Sequence, residues 1–412
     1  MLALRLARGA HPGVQLRRLL VAAASAATGF LLLGTLGHAL AHQDTPGGSA
    51  LRLAWCVAPL AATVYFAVTV ARTDPGTKPR PGLSAIGLGP GRLMAVSATT
   101  TALSCTLGSM LALLFFLHLR GDLTGMPFDG DAADFLAADH PLPLPAALTL
   151  LTLVPVAASI AAALVLRPRD TRRRTAGAGG TPSAPGSASQ PAEPTPGPSE
   201  TPVQEPGLPS LHLPPRDLPW GIAVLAAGLA VEAYAARAPH TRLAMPGGAT
   251  GSPAAVLVGW ALTALGLALA GPGLTHLCGR LLQAVRPGAL RLLAGRVLMQ
   301  EATRIGRPLG VVCAVASGAY AMIVLYDADD PSLGPLTTLG ALVVVGCAVA
   351  TLLTAAAEAR RARADTTAAL VRLGAPATTL RTAAGLRAAA LLALFAPLTF
   401  LVAELAALPL TA

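Results

Sequence analysis

Lysine is all but missing from this chain of 412 residues. Lys78 is the only one, and it stands in Thr77-Lys78-Pro79. A P-loop needs lysine directly before Ser or Thr in a glycine-rich turn, so that its ammonium reaches the phosphates. The chain therefore carries no such nucleotide site. Charge of either sign is also scarce: Asp, Glu, Lys and Arg make up 12% of the residues, half of the roughly 25% usual in soluble domains. The five cysteines (Cys56, Cys105, Cys278, Cys313, Cys347) are odd in number, scattered, and form no Cys-x-x-Cys pair. Neither a disulfide framework nor a zinc site follows from that pattern, and buried free thiols are the plain reading. No His-Glu-x-x-His, Gly-x-Ser-x-Gly or Gly-x-Gly-x-x-Gly occurs in a fitting context, which removes the common hydrolase and dinucleotide signatures. With no polar constellation converging in the apolar runs, an enzyme is not expected.

What the chain has instead is apolar length. Hydrophobic residues make up 53% of it and its mean hydropathy is +0.61. Several runs exceed the roughly 18 apolar residues that suggest a membrane span. The expected class is an all-α polytopic membrane protein with nine transmembrane helices, at about 19–40, 51–71, 94–119, 144–166, 218–236, 254–274, 309–326, 336–357 and 383–408. The basic N-terminus (Arg5, Arg8, Arg17, Arg18) and Ala39-Leu40-Ala41 after the first run have the form of a cleavable signal. The run is longer than the apolar core of a signal and reads as a retained span. Residues 176–217 are Pro, Gly, Ser, Thr and Ala with almost nothing to bury, as expected of a disordered linker.

The net charge of +10 comes from arginines gathered at the ends of the apolar runs. Cytoplasmic loops carry the excess of Arg and Lys. With the N-terminus inside, the arginines fall on the cytoplasmic face except Arg52, Arg120, Arg237 and Arg242, and the acidic loops at 122–139 and 327–330 fall outside. The basic stretch 280–307, bounded by Pro287 and Pro308, reads as a separate helix at the membrane surface. His38 and His42 share one helical face near Asp44. That spacing suits metal ligands, although an interfacial pair with no site is commoner. Glu232 and Glu404 lie within apolar runs, where a carboxylate is a functional candidate. Both sit close to the outer ends, so snorkelling or partial solvation is expected, with no evident partner.

The most specific pattern is a short duplicated loop. Leu83-Ser-Ala-Ile86-Gly87 ends at Arg92-Leu93, and Leu370-Val-Arg372-Leu373-Gly374 ends at Leu380. Both fit Leu, two residues, Ile or Leu, Gly, five residues, Leu. The offset is 374 − 87 = 287, and it places Arg17 on Arg304 and the first three spans on the seventh, eighth and ninth. Glycine here breaks a helix and leaves a short amphipathic piece free to lie on the cytoplasmic face.

Residues 16–118 and 303–405 each resemble the FtsX-like permease domain of ABC transporters, most clearly in Arg361-Ala-Arg363 and in Ala369-Leu-Val-Arg-Leu-Gly-Ala-Pro. The resemblance implies a first permease domain at 1–175 and the linker at 176–217, then two additional helices at 218–275 and a second permease domain at 276–412. It further implies a permease subunit in the bacterial plasma membrane, paired with a separate ATP-binding subunit that holds the ATP. A homodimer or heterodimer of permeases is a further expectation. By position, the residues that couple to the ATPase would be Leu83, Ile86, Gly87, Arg92 and Leu93, with Leu370, Arg372, Leu373, Gly374 and Leu380 in the second copy. Two departures stand out: Ala41 to Ala50 is only a short loop where many members carry a large extracytoplasmic domain, and the second copy lacks the fourth span, whose register equivalent, 431–453, lies beyond Ala412. The expected function is ATP-driven export or extraction of a lipid, lipopeptide or antimicrobial peptide. An ion-coupled secondary transporter and a non-transporting mechanotransmission regulator are the alternatives.

Overall fold

The computed structural model describes residues 12–44, 46–74, 90–123, 130–167, 218–235, 242–243, 252–284, 288–326 and 334–411. The described part is helical apart from one antiparallel pairing of β1 (Arg242–Leu243) with β2 (Ser252–Pro253). The first four spans are α1 (Pro12–Ala41), the pair α2 (Pro46–Trp55) and α3 (Val57–Thr73), α4 (Pro90–Arg120) and α5 (Leu144–Leu166). After residues 168–217, which include the expected linker and lie outside the described residues, come α6 (Leu218–Ala235), α7 (Ala254–Ala284), α8 (Ala289–Tyr326) and α9 (Pro335–Ala362). The short α10 (Ala364–Arg372) leads into α11 (Ala377–Thr411). Among the described residues, nine helical stretches are long and apolar enough to cross a membrane, with α2 and α3 counted as one of them and α9 and α10 as another. The chain is an all-α polytopic membrane protein.

Helix ends follow the 287 register closely. The α4 helix starts at Pro90 and α11 at Ala377 (90 + 287 = 377). The α3 helix ends at Thr73 and α9 at Ala362 (73 + 287 = 360), while α1 ends at Ala41 and α8 at Tyr326 (41 + 287 = 328). One copy has a break the other lacks. Pro59 has no amide hydrogen for the Trp55 carbonyl four residues back, and the helix is interrupted at Cys56, whose own amide bonds the Leu53 carbonyl at 3.1 Å.

Of four apolar cores among the described residues, two position the site. Val21, Leu31, Leu32, Phe66, Cys105, Val154 and Ala158 bury one another across α1, α3, α4 and α5, and Val343 and Cys347 of α9 are part of the same cluster. Leu267, Cys313, Phe395 and Val402 form the other, across α7, α8 and α11. The α9 helix belongs by register to the second copy, yet it packs on α3 and α1 of the first as well as on α8. The α6–α7 hairpin lies along α8 and touches α11.

Lipid tails are as apolar as leucine, so helices in a membrane associate through close backbone approach and small polar groups. Both devices are present. A Cβ on Gly271 would stand 2.1 Å from the Gly306 carbonyl oxygen, and one on Gly108 would stand 2.2 Å from that of Ala22. Ser25 donates to the Cys105 carbonyl at 2.8 Å and Ser109 to that of Leu151 at 3.0 Å. By contrast the hydroxyls of Thr99, Thr100, Thr101 and Ser104 bond carbonyls within α4 itself.

One expectation is corrected. The stretch 280–307 is not a separate surface helix ending at Pro308. Its start completes α7, and Ala289 onward runs without interruption through Pro308 to Tyr326. Proline removes one ladder bond, but neighbouring helices can hold a proline-bearing span together. Here Gly306 and Gly310 bring α8 against Gly271, Pro272 and Leu267 of α7. At 38 residues, α8 is about 57 Å long, well beyond the roughly 30 Å of a hydrocarbon core.

Gly271→Ala should destabilise the protein by about 1–3 kcal/mol, the usual range for overpacking. Gly318→Ala, whose Cβ meets nothing within 4 Å, should be neutral or gain up to about 1 kcal/mol of helix propensity. Thermal unfolding of the two variants in detergent checks this, and equal midpoints would refute the close-packing assignment.

Candidate functional site

Two regions at opposite ends of the helices carry the features worth functional attention. The first is the second motif copy. The α10 helix is amphipathic and buries none of its residues. Leu370 is half-buried and Arg372 exposed, and Val371 and Leu373 present 53% and 84% of their surface. Gly374 takes φ +88°, a conformation that costs an L-residue roughly 1–2 kcal/mol. Its amide bonds the Val371 carbonyl at 3.0 Å and the Ala375 amide bonds that of Leu370 at 3.0 Å. These paired bonds are the Schellman stop that glycine favours. Pro376 follows, α11 begins at Ala377, and Leu380 is half-buried in its first turn. In the first copy Leu83, Ile86 and Gly87 lie outside the described residues. Arg92 is exposed and Leu93 half-buried in the first turn of α4.

Each copy clasps the approach to its motif onto its own first helix. On α1, Arg18 pairs with Asp74 at 2.5 Å just past the end of α3, and Arg17 donates to Thr73 at 3.2 Å. In the second copy Glu301 of α8 pairs with Arg363 at 2.7 Å, between α9 and α10. The charges are exchanged and the register is displaced (18 + 287 = 305 and 74 + 287 = 361), yet the connection is the same. The sequence held a signal for it: Asp74 is the only acid in 72–92, and Glu301 the only acid in 280–307. Both bridges come from residues that look out of place in basic stretches.

The second region is a cavity of about 870 Å³ between the two cores, a size within the range of small-molecule sites. It is walled mainly by aliphatic residues of α3, α7, α8 and α9, with α1, α2 and α11 completing it. Where α1 packs on α9, the register-equivalent pair, α8 with α3, has no comparable packing. The cavity occupies that place. Trp55 and Trp260 line it, and the indole nitrogen of each is buried with no hydrogen-bond partner among the described residues. The cavity was not legible in the sequence, because it results from how two copies meet.

The structure also corrects the reading of the two membrane carboxylates. Glu232 does not snorkel: it is 1% exposed and accepts a 2.9 Å hydrogen bond from Thr263 of α7, which lines the cavity. Its second oxygen has no partner among the described residues. The neighbouring Gly259 makes room, since a Cβ there would stand 2.4 Å from the Glu232 Cγ. Glu404 accepts a 2.6 Å bond from the Tyr320 hydroxyl. The His38 and His42 rings stack at 4.0 Å, and no group of three or more metal-ligand residues occurs among the described residues. Arg120, an exception to the charge rule, is buried, pairs with Asp122 at 3.3 Å and donates to the His140 carbonyl.

No family model, curated protein or solved structure matches the chain.

The Glu301–Arg363 pair is partly exposed, at 10% and 26% of its side-chain surface, so its worth lies between that of exposed and buried bridges. Glu301→Gln and Arg363→Gln should each lower stability by about 1–2 kcal/mol, with the double variant well short of their sum. A double-mutant cycle on thermal unfolding measures this, and strict additivity would refute the clasp.

Proposed function

We propose that this chain is the transmembrane permease subunit of an ATP-binding cassette transporter, of the FtsX-like kind, working with a separate ATPase subunit. The observation that carries the reading is α10. It is an amphipathic helix between two spans that leaves Val371 and Leu373 in the open, stopped by a glycine at positive φ and tied at its start to α8. An exposed apolar surface of this kind suits a protein partner. The chain has no P-loop lysine of its own, so the energy source is assigned to the partner. A push on α10 passes to α8 through the Glu301–Arg363 pair and to α11 through Gly374 and Pro376. The α8 and α11 helices carry it to the cavity walls at the other end. Such coupling needs an element with two arrangements that both sites bias, and α8 with α9 is the candidate. In this reading the N-terminus is cytoplasmic, the membrane is the bacterial plasma membrane, and the cargo is a lipid, lipopeptide or antimicrobial peptide.

One observation favours a second reading. The buried Glu232, bonded to a hydroxyl on the cavity wall, is the kind of intramembrane carboxylate that ion-coupled transporters use. Uptake driven by a proton gradient into vesicles lacking ATP, abolished by Glu232→Gln, would establish that reading and displace the first.

Leu373→Asp in the chain purified with any neighbouring ATP-binding subunit tests the coupling assignment. Leu373 is 84% exposed, so the fold should tolerate the change. Complex formation should weaken at least tenfold, and ATP turnover stimulated by the permease should fall with it. Undiminished assembly and unchanged turnover would sink the assignment.

A further inference from the structure

We propose that the cavity between the two cores binds an anionic acyl lipid, its tail among the aliphatic walls and its headgroup met by Arg52, Trp55 and Trp260. Protein interiors are close-packed, and a space of about 870 Å³ walled mostly by hydrocarbon offers water few partners. An acyl chain fills it at no such cost. The hydroxyls of Thr35, Thr263 and Ser317 already donate to Leu32, Glu232 and Cys313. The two indole N–H groups are buried without acceptors among the described residues, and no acid among those residues pairs with the exposed Arg52 guanidinium. A buried donor without an acceptor carries a desolvation penalty, which the phosphate and ester oxygens of a lipid headgroup would relieve.

The depth of these groups agrees. Arg52 and Trp260 each stand six residues into their helices, and Trp55 nine, all counted from the ends remote from α10. That is about 9–14 Å below the helix ends, the headgroup-to-acyl boundary of a leaflet. A tryptophan of an ordinary aromatic belt keeps its N–H toward headgroups or water, whereas here both nitrogens are buried. Arg52 is also one of the few arginines expected on the face opposite α10, and a lipid phosphate would pair a charge that no acid among the described residues pairs. Naming this lipid as the transported class rests on the transporter reading above, while its binding does not.

The third tryptophan, Trp220, is 74% exposed at the far end of α6, so Trp220→Phe leaves a fluorescence signal from the cavity alone. That variant, in detergent micelles, is titrated with acyl-brominated phosphatidylglycerol and separately with acyl-brominated phosphatidylcholine. Quenching should saturate, with half-saturation at a mole fraction about tenfold lower for the anionic lipid. Adding Arg52→Gln should reduce that preference to under twofold. Adding Gly318→Phe, which points a ring into the cavity from a position with nothing within 4 Å of its Cβ, should abolish the saturable phase. Quenching linear in mole fraction and unchanged by Gly318→Phe would overturn the site. A saturable phase indifferent to Arg52→Gln, or one favouring phosphatidylcholine, would overturn the anionic headgroup assignment. No ATPase enters the measurement, so its failure leaves the coupling proposal standing.

Discussion

Thr63 and Cys347 mark the seam on which the molecule depends. The Thr28 and Thr63 hydroxyls lie 2.9 Å apart, and Thr63 lies 3.8 Å from the Cys347 sulfur, all three buried where α1, α3 and α9 meet. In a membrane these weak polar links and the close contact around them are what hold helices together, since no water is released when apolar faces join. Across this seam the first core takes in a helix from the second copy. On its flank, where α3 and α8 do not close, lies the cavity. A shift of α9 along the seam therefore alters both the cavity wall and, through Arg363, the setting of α10.

The spans were legible because the bilayer imposes them. Length and apolarity located nine stretches. The stop at Gly374 was legible too, because a glycine followed by alanine and proline has few other uses between two helices. The unread features all depended on contacts between distant segments. Pro308 looked like a terminus, and nothing local announced that Gly306 and Gly310 would seat α8 against α7 firmly enough to carry the helix through. Glu232 looked solvated from its distance to the end of its run. Its burial depends on Gly259 and Thr263, thirty residues on, offering space and one hydrogen bond.

The two clasps make the same kind of connection with different chemistry. In one copy arginine lies on the first helix and the acid follows the second; in the other the order is exchanged and shifted by about a turn. A helix tolerates that because residues three or four apart share a face, so the link can move by a turn without rotating the helix. The register of 287 holds in sequence for the glycine and to within two residues for the helix ends compared, while the bridge departs from it by up to four.

The place of α9 in the first core also sets an order of events during synthesis. Helices α1 to α5 are complete by residue 166, but their shared core lacks Val343 and Cys347 until α9 emerges. For the intervening stretch the first bundle must stand in the bilayer with the α9-facing sides of α1 and α3 open to lipid. Contacts so far apart in sequence form slowly, and a partly closed bundle is exposed to wrong partners meanwhile. The nascent chain therefore passes through a state in which lipid fills the place of its own missing helix.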